Sequence, residues 1–156
     1  MITDNLKLKG ELTIVVKDKD GKVKEQRNET NLVVATGLEF ISSRMVGVAT
    51  PVMSHMAVGS STTAPLAGQT DLQSMLGSRI AIRESSATDN TVTYICDFVA
   101  GSGTGAITEA AIFNNSDPSD TQNSNLMLCR TTFGVVNKSA EDSMVITWTI
   151  TLSASE

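Results

Sequence analysis

The closing run of the chain sets its class. Met144, Ile146, Trp148, Ile150 and Leu152 alternate without a break with Val145, Thr147, Thr149 and Thr151. A period of two sends one set to a core face and the other to a Thr-rich face, which a strand does and a helix does not. The same period returns upstream. Leu12, Ile14 and Val16 alternate with Thr13 and Val15; Ile80 and Ile82 sit among Arg79, Ala81 and Arg83; Val92, Tyr94, Cys96 and Phe98 alternate with Thr91, Thr93, Ile95 and Asp97. Residues 107–113 and 126–136 read as two further strands, and residues 54–59 as a short one. Successive hairpins of this kind close into an antiparallel β-sandwich or a barrel-like domain, so the fold class is mainly β. At 156 residues the chain, 1–156, is a single β-rich domain with enough apolar residues to bury a core without staples.

The punctuation between strands is equally readable. Lys19-Asp20-Gly21-Lys22 holds the D-G pair that tight hairpin turns favour, because both residues tolerate positive φ. The returning residues 22–30 carry Val23 as their only large apolar side chain, as a solvated ribbon or protected edge does. Residues 1–30 are therefore expected to form an N-terminal hairpin or arm that projects from the body. Thr36-Gly37-Leu38-Glu39 matches the capping box, and Leu38, Ile41 and Met45 follow at helical spacing, which predicts one short α-helix over about 37–46. Gly47 is placed to end it. Residues 59–70 read as a loop, 71–76 as a helical turn, 87–90 as a hairpin turn, 101–105 as a flexible corner, and 114–125 as a polar, solvent-facing loop.

Chemistry-bearing constellations are sparse. The net charge of -5 argues against a nucleic-acid partner, which needs clustered Lys and Arg. No run of 18 apolar residues suits a membrane span, and the apolar run after residues 1–10 is too short for a secretion signal. Cys96 and Cys129 lie in apolar strands with no C-x-x-C spacing, the setting of buried free thiols. His55 is the only histidine, and no G-x-S-x-G elbow accompanies it. Asp97, Glu109, Glu84 and Asp89 read as solvated carboxylates near strand ends, not as a catalytic pair. Residues 101–105 lead into a strand, whereas a phosphate-cradling loop leads into a helix N-terminus. The acidic clusters at 18–21 and 117–120 fall short of a calcium-loop pattern. The residues thus assign no catalytic group, no metal ligand and no cofactor, and the seven methionines read as core gap-fillers.

Several stretches share a pattern. They are Met56-Ala57-Val58-Gly59-Ser60-Ser61-Thr62-Thr63-Ala64-Pro65 with Thr70-Asp71-Leu72; Gly103-Thr104-Gly105-Ala106-Ile107-Thr108-Glu109-Ala110-Ala111-Ile112-Phe113-Asn114; Arg130-Thr131-Thr132-Phe133 with Lys138; and residues 142–152. Together with residues 31–37 they resemble bacteriophage virion structural proteins, over roughly residues 10–152. That family includes small capsid decoration, or cement, proteins and components of tail fibres and baseplates. The resemblance implies a non-enzymatic protein on the capsid surface of the virion, made in the host cytoplasm. It would stabilise the assembled shell as a homotrimer bound to the major capsid protein or another virion protein. The alternatives are a tail fibre, baseplate or adaptor component and, more remotely, a carbohydrate-binding β-sandwich. Against the last stands the expected placement of Trp148 and Tyr94 on core faces. Within the expected arm, Leu6, Leu8, Lys17, Lys19, Lys22 and Lys24 are the candidate interface residues.

Overall fold

The computed structural model describes residues 6–120 and 125–154. In chain order the elements are β1 (Leu6–Lys17), β2 (Val23–Val33), α1 (Ala35–Met45), β3 (His55–Gly59), β4 (Ile80–Ala81), β5 (Glu84–Thr88), β6 (Thr91–Phe98), β7 (Gly105–Phe113), β8 (Met127–Lys138) and β9 (Ser143–Ala154). The nine strands form one antiparallel sheet in the order β4-β3-β7-β8-β2-β1-β9-β6-β5. It curls into a half-barrel, the mainly β, barrel-like architecture that the alternation predicts. Only Ile82 and Arg83 carry the chain from the β4 edge to the β5 edge, so the curl brings the two ends of the sheet close together. Ile82 N–H donates to the Ser54 carbonyl at 2.8 Å and Arg83 N–H to the Ile95 carbonyl at 2.8 Å, tying that crossing to both ends.

β9 behaves as its alternation requires. Met144, Ile146, Trp148 and Ile150 are buried on one face and meet Leu12, Ile14 and Val16 of β1 in the main core. β1 pairs with β9 along its whole length, from Leu6 opposite Ala154 to Lys17 opposite Ser143, and with β2 on its other side. The expected projecting arm is therefore corrected over its described residues: the turn at Gly21 is real, but β1 is an interior strand. Three buried β1 side chains cover the core, and an arm swung outward would leave them in water. Residues 1–5 of the expected arm lie outside the described residues.

β2 does diverge from the body on its far side, pairing with β8 only at Leu32 and Val33. Between paired positions, β7 advances from Ile107 to Glu109 while β8 spans Val136 to Thr132, so β8 holds two extra residues there. Arg27 of β2 donates to the carbonyls of Gly134 and Val135 inside this bulge, which bridges the split.

The helix forms where predicted, but its cap and its buried face differ. Val34 is the N-cap residue and makes no side-chain cap bond. Thr36 lies inside the helix and donates its hydroxyl to the Met127 carbonyl at 2.7 Å, so the capping box is not formed. The buried positions are Gly37 and Phe40, whereas Leu38 and Met45 face solvent. The cause is local: a Cβ on Gly37 would lie 2.1 Å from the Leu128 carbonyl oxygen, so only glycine lets the helix sit this close to β8. That seat turns Leu38 and Met45 outward, while Ile41 stays packed against the main core. Gly47 ends the helix at φ 72°, as expected.

β7 is buried at seven consecutive positions, 107–113, because both of its faces are covered. Ile107, Ala110 and Ile112 belong to the main core, while Ala111 and Phe113 join Val34, Ala57, Leu72 and Met127 in a second, smaller core. The chain between β3 and β4 supplies Leu72 and Met75 to that second core. The helical turn expected at 71–76 is absent; Met75 instead forms an isolated bridge with Gly59. The strand expected around Arg79–Arg83 is cut to β4, because the chain leaves the sheet at Ile82 to reach β5.

Candidate functional site

The most strongly constructed polar cluster lies between the sheet and that covering loop. Glu109 on β7 and Arg130 on β8 are both fully buried, and Arg130 donates to the carboxylate from Nε at 3.0 Å and Nη2 at 2.7 Å. The same carboxylate accepts the backbone N–H groups of Ser61, Gln73 and Ser74 at 3.3, 3.1 and 2.7 Å. Arg130 Nη1 reaches the Thr63 carbonyl and Gln69 Oε1, both at 3.0 Å. A Cβ on Gly59 would lie 2.3 Å from Glu109 Oε1, so glycine clears space for the carboxylate. The cluster fastens the 59–76 segment to the sheet. It corrects the reading of Glu109 as a solvated strand-end carboxylate: the loop that covers β7 brings three backbone donors to it, and Arg130 on β8 supplies two more.

Nearby, Arg79 is buried with its guanidinium 3.5 Å from the centre of the Phe113 ring, and it donates to Asp71 Oδ1 at 3.2 Å and Asn125 Oδ1 at 2.7 Å. His55 Nδ1 lies 2.8 Å from Ser54 Oγ, its neighbour in sequence. Burial first, and the positive Arg79 second, hold the His55 pKa below its ordinary value, so the ring is neutral near pH 7. Cys96 and Cys129 are buried free thiols, with burial pushing Cys96 up to about 12 and Cys129 also upward, which keeps both protonated. In the two acidic turns, Asp18 accepts the amides of Asp20 and Lys22, and Asp117 accepts the amide and hydroxyl of Ser119. These carboxylates serve turn geometry.

The six sequence-selected interface residues do not form one patch. Leu6 is exposed and Leu8 packs on the main core at one end of β1, while Lys17, Lys19 and Lys22 are clustered at the other end or in its turn. Eleven strand steps separate Leu6 from Lys17, roughly 35 Å at the ordinary rise per residue. Lys24 is engaged internally, with Nζ 2.6 Å from Asp142 Oδ2.

That pair carries a pH prediction. The Lys24 hydrogen bond, followed by the Ser139 amide, holds the Asp142 carboxyl down to about 2 from its ordinary 3.8. A folded pKa below the unfolded one means stability that is complete above the unfolded value and lost as pH falls toward the folded one. Between pH 3.8 and about 2 the urea midpoint of the wild type should therefore fall more steeply than that of Lys24→Met. Matching acid limbs in the two proteins would contradict the assignment.

The exposed apolar surface gathers elsewhere. Of eleven large hydrophobic residues exposed among the described residues, five lie between positions 38 and 52: Leu38, Met45, Val46, Val48 and Val52. Met45 is 82% exposed and Val46 79%, so neither is a core residue at a loose margin. Beside them runs a groove of about 280 Å³ lined by Phe40, Val52, Met53, Ser85, Ser86, Ala87, Val92 and Tyr94. A neighbouring recess of about 180 Å³ continues past Phe40 and Tyr94 toward Arg44, Ile150 and Leu152. Two of the five lie on α1 and three on the segment that follows it, and apolar exposure concentrated in this way marks an interaction site more often than scattered exposure does. The helical spacing of Leu38, Ile41 and Met45 marks a helix without saying which face it buries, and the small Gly37 beside Leu38 was the one signal that its own face could approach the sheet.

Compared with known protein families, curated proteins and solved structures, the chain matches none.

Proposed function

We propose that this chain is a non-enzymatic virion structural protein, a capsid decoration protein that binds the assembled shell and stabilises it. The observation that carries the reading is where the residues of the phage-like pattern lie. Glu109 and Arg130 are sealed against each other; Asp71 holds Arg79; the buried Lys138 donates to the Val99 carbonyl; Asp142 holds Lys24; and Trp148 Nε1 donates to Asn31. Their chemistry is spent on holding a shape. What that shape offers to other molecules is the exposed apolar residues between positions 38 and 52 and the groove beside them.

A protein that binds the closed lattice and not the free subunits adds its binding free energy to assembly by linkage. Bridging several subunits at once turns modest contacts into high avidity. A homotrimer at a local threefold reuses one heterologous contact three times. The partner in this reading is the major capsid protein, and the location is the capsid surface. Counting the chain in purified particles by quantitative mass spectrometry tests it. Hundreds of copies per particle are expected of a decoration protein, a few to tens would move the chain to a tail fibre, baseplate or adaptor, and none would remove it from the virion.

A further inference from the structure

The sheet ends in two unlike edges. β4 is two residues long, whereas β5 has five residues, all exposed, and among the described residues no strand lies along its outer side. Natural sheets guard a free edge with proline, lysine, bulges or a covering segment. Glu84-Ser85-Ser86-Ala87-Thr88 holds no proline or lysine, and its register with β6 runs unbroken.

Hairpin geometry settles which backbone groups point outward. Thr88 pairs with Thr91 across the two-residue turn Asp89-Asn90, so that pair and every second pair after it exchange hydrogen bonds. Glu84, Ser86 and Thr88 are thereby committed to β6. The N–H and C=O groups of Ser85 and Ala87 face away from it. These two residues stand opposite Tyr94 and Val92, and all four line the groove whose other wall is Phe40, Val52 and Met53.

An occupant that suits both features is extended. Only an extended backbone pairs with Ser85 and Ala87 while sending every second side chain to one face. A helix satisfies its own backbone groups and leaves the edge unpaired. The groove, at about 280 Å³, exceeds the ~150 Å³ cavity that holds one benzene, so it accepts more than one apolar side chain. Charge adds a further preference. Arg83 is engaged by Asp97 at 2.5 Å and approaches Glu84 only to 3.7 Å, which leaves the Glu84 carboxylate under-neutralised at the start of the edge.

We propose that the outer edge of β5 and the groove beside it form a docking site for an extended segment of a neighbouring protein. That segment carries apolar residues at alternate positions and a lysine or arginine that reaches Glu84. The site rests on the reading of this chain as a module that binds protein neighbours.

The test selects binders for the full-length protein from two displayed libraries of segments about eight residues long, enough to span β5. One library fixes apolar residues at alternate positions and the other at helical spacing. Ala87→Pro removes one outward N–H and leaves the β6 ladder intact, a position where edge strands tolerate proline. Val52→Glu places a charge in the groove wall at a residue already 59% exposed, so both variants should fold. The alternating library alone should be enriched, its binders should weaken at least about tenfold on each variant, and those with a basic residue should weaken on Glu84→Gln. Enrichment of the helical library, binders indifferent to Ala87→Pro and Val52→Glu, or no enrichment at all would each overturn the proposal. So would a concentration-dependent dimer of the protein alone that Ala87→Pro dissolves, since that assigns the edge to a second copy. The selection uses no virion, so its failure leaves the copy count per particle standing, and a failed copy count leaves the selection result standing.

Discussion

Arg130→Met should destabilise the folded chain by about 4 kcal/mol, because it leaves the Glu109 carboxylate buried without its counter-ion. Both side chains are 0% exposed, so water does not take the place of the missing guanidinium. Glu109→Gln should cost about 3 kcal/mol by the converse route, stranding the Arg130 charge. The double variant Glu109→Leu/Arg130→Met separates a simple ion pair from a strap. An isolated buried pair replaced by apolar residues of similar volume is often neutral in stability. Here the amides of Ser61, Gln73 and Ser74 would also lose their acceptor, at about 1–3 kcal/mol for each amide left dry. The double variant should therefore remain well below the wild type in urea denaturation, and hydrogen exchange at those three amides should accelerate. A double variant as stable as the wild type would show that the 59–76 segment is held by something else.

Trp148→Ala should cost about 3–5 kcal/mol, the range for removing a large aromatic from a tight core. Trp148 is fully buried, between Leu12 on β1 and Tyr94 on β6 in the sheet register. Its Nε1 donates to Asn31 Oδ1 at 2.7 Å, which links β9 to β2 across β1. Trp148→Phe keeps most of the ring and loses that donor, so it should cost less, about 1–2 kcal/mol. Adding Asn31→Ala removes the stranded oxygen, and the pair should couple by about 1 kcal/mol in a double-mutant cycle. Far-UV circular dichroism is the readout, since the only tryptophan is the residue changed. Full additivity of Trp148→Phe and Asn31→Ala would deny the hydrogen bond a role.

What the sequence revealed and what it concealed divide along a physical line. β9 was legible because a strand covered on one face writes its environment as strict alternation, and Met144 through Ile150 obey it. The helix was legible as an element. Its orientation was not, because apolar spacing at Leu38, Ile41 and Met45 says nothing about which face has a partner; the tight approach of Gly37 to Leu128 decides that. Glu109 was misread because carboxylates usually face water, yet the unbroken apolar run Ala110–Phe113 after it is what a strand covered on both faces carries. Arg130, set inside the apolar start of β8, was the matching clue. β1 looked like an arm because its hairpin partner β2 is polar, while its own alternation of Leu12, Ile14 and Val16 already required a core face. The groove beside β5 was out of reach, since it is assembled from α1, the residues before β3, and the β5–β6 hairpin.

The role proposed for this chain is to add surface to an assembled shell. The direct measurement is the rupture temperature of particles with the chain, without it, and after purified protein is added back. Particles lacking it should burst at a lower temperature, and added protein should restore the original value. An unchanged rupture temperature in its absence would contradict the claim.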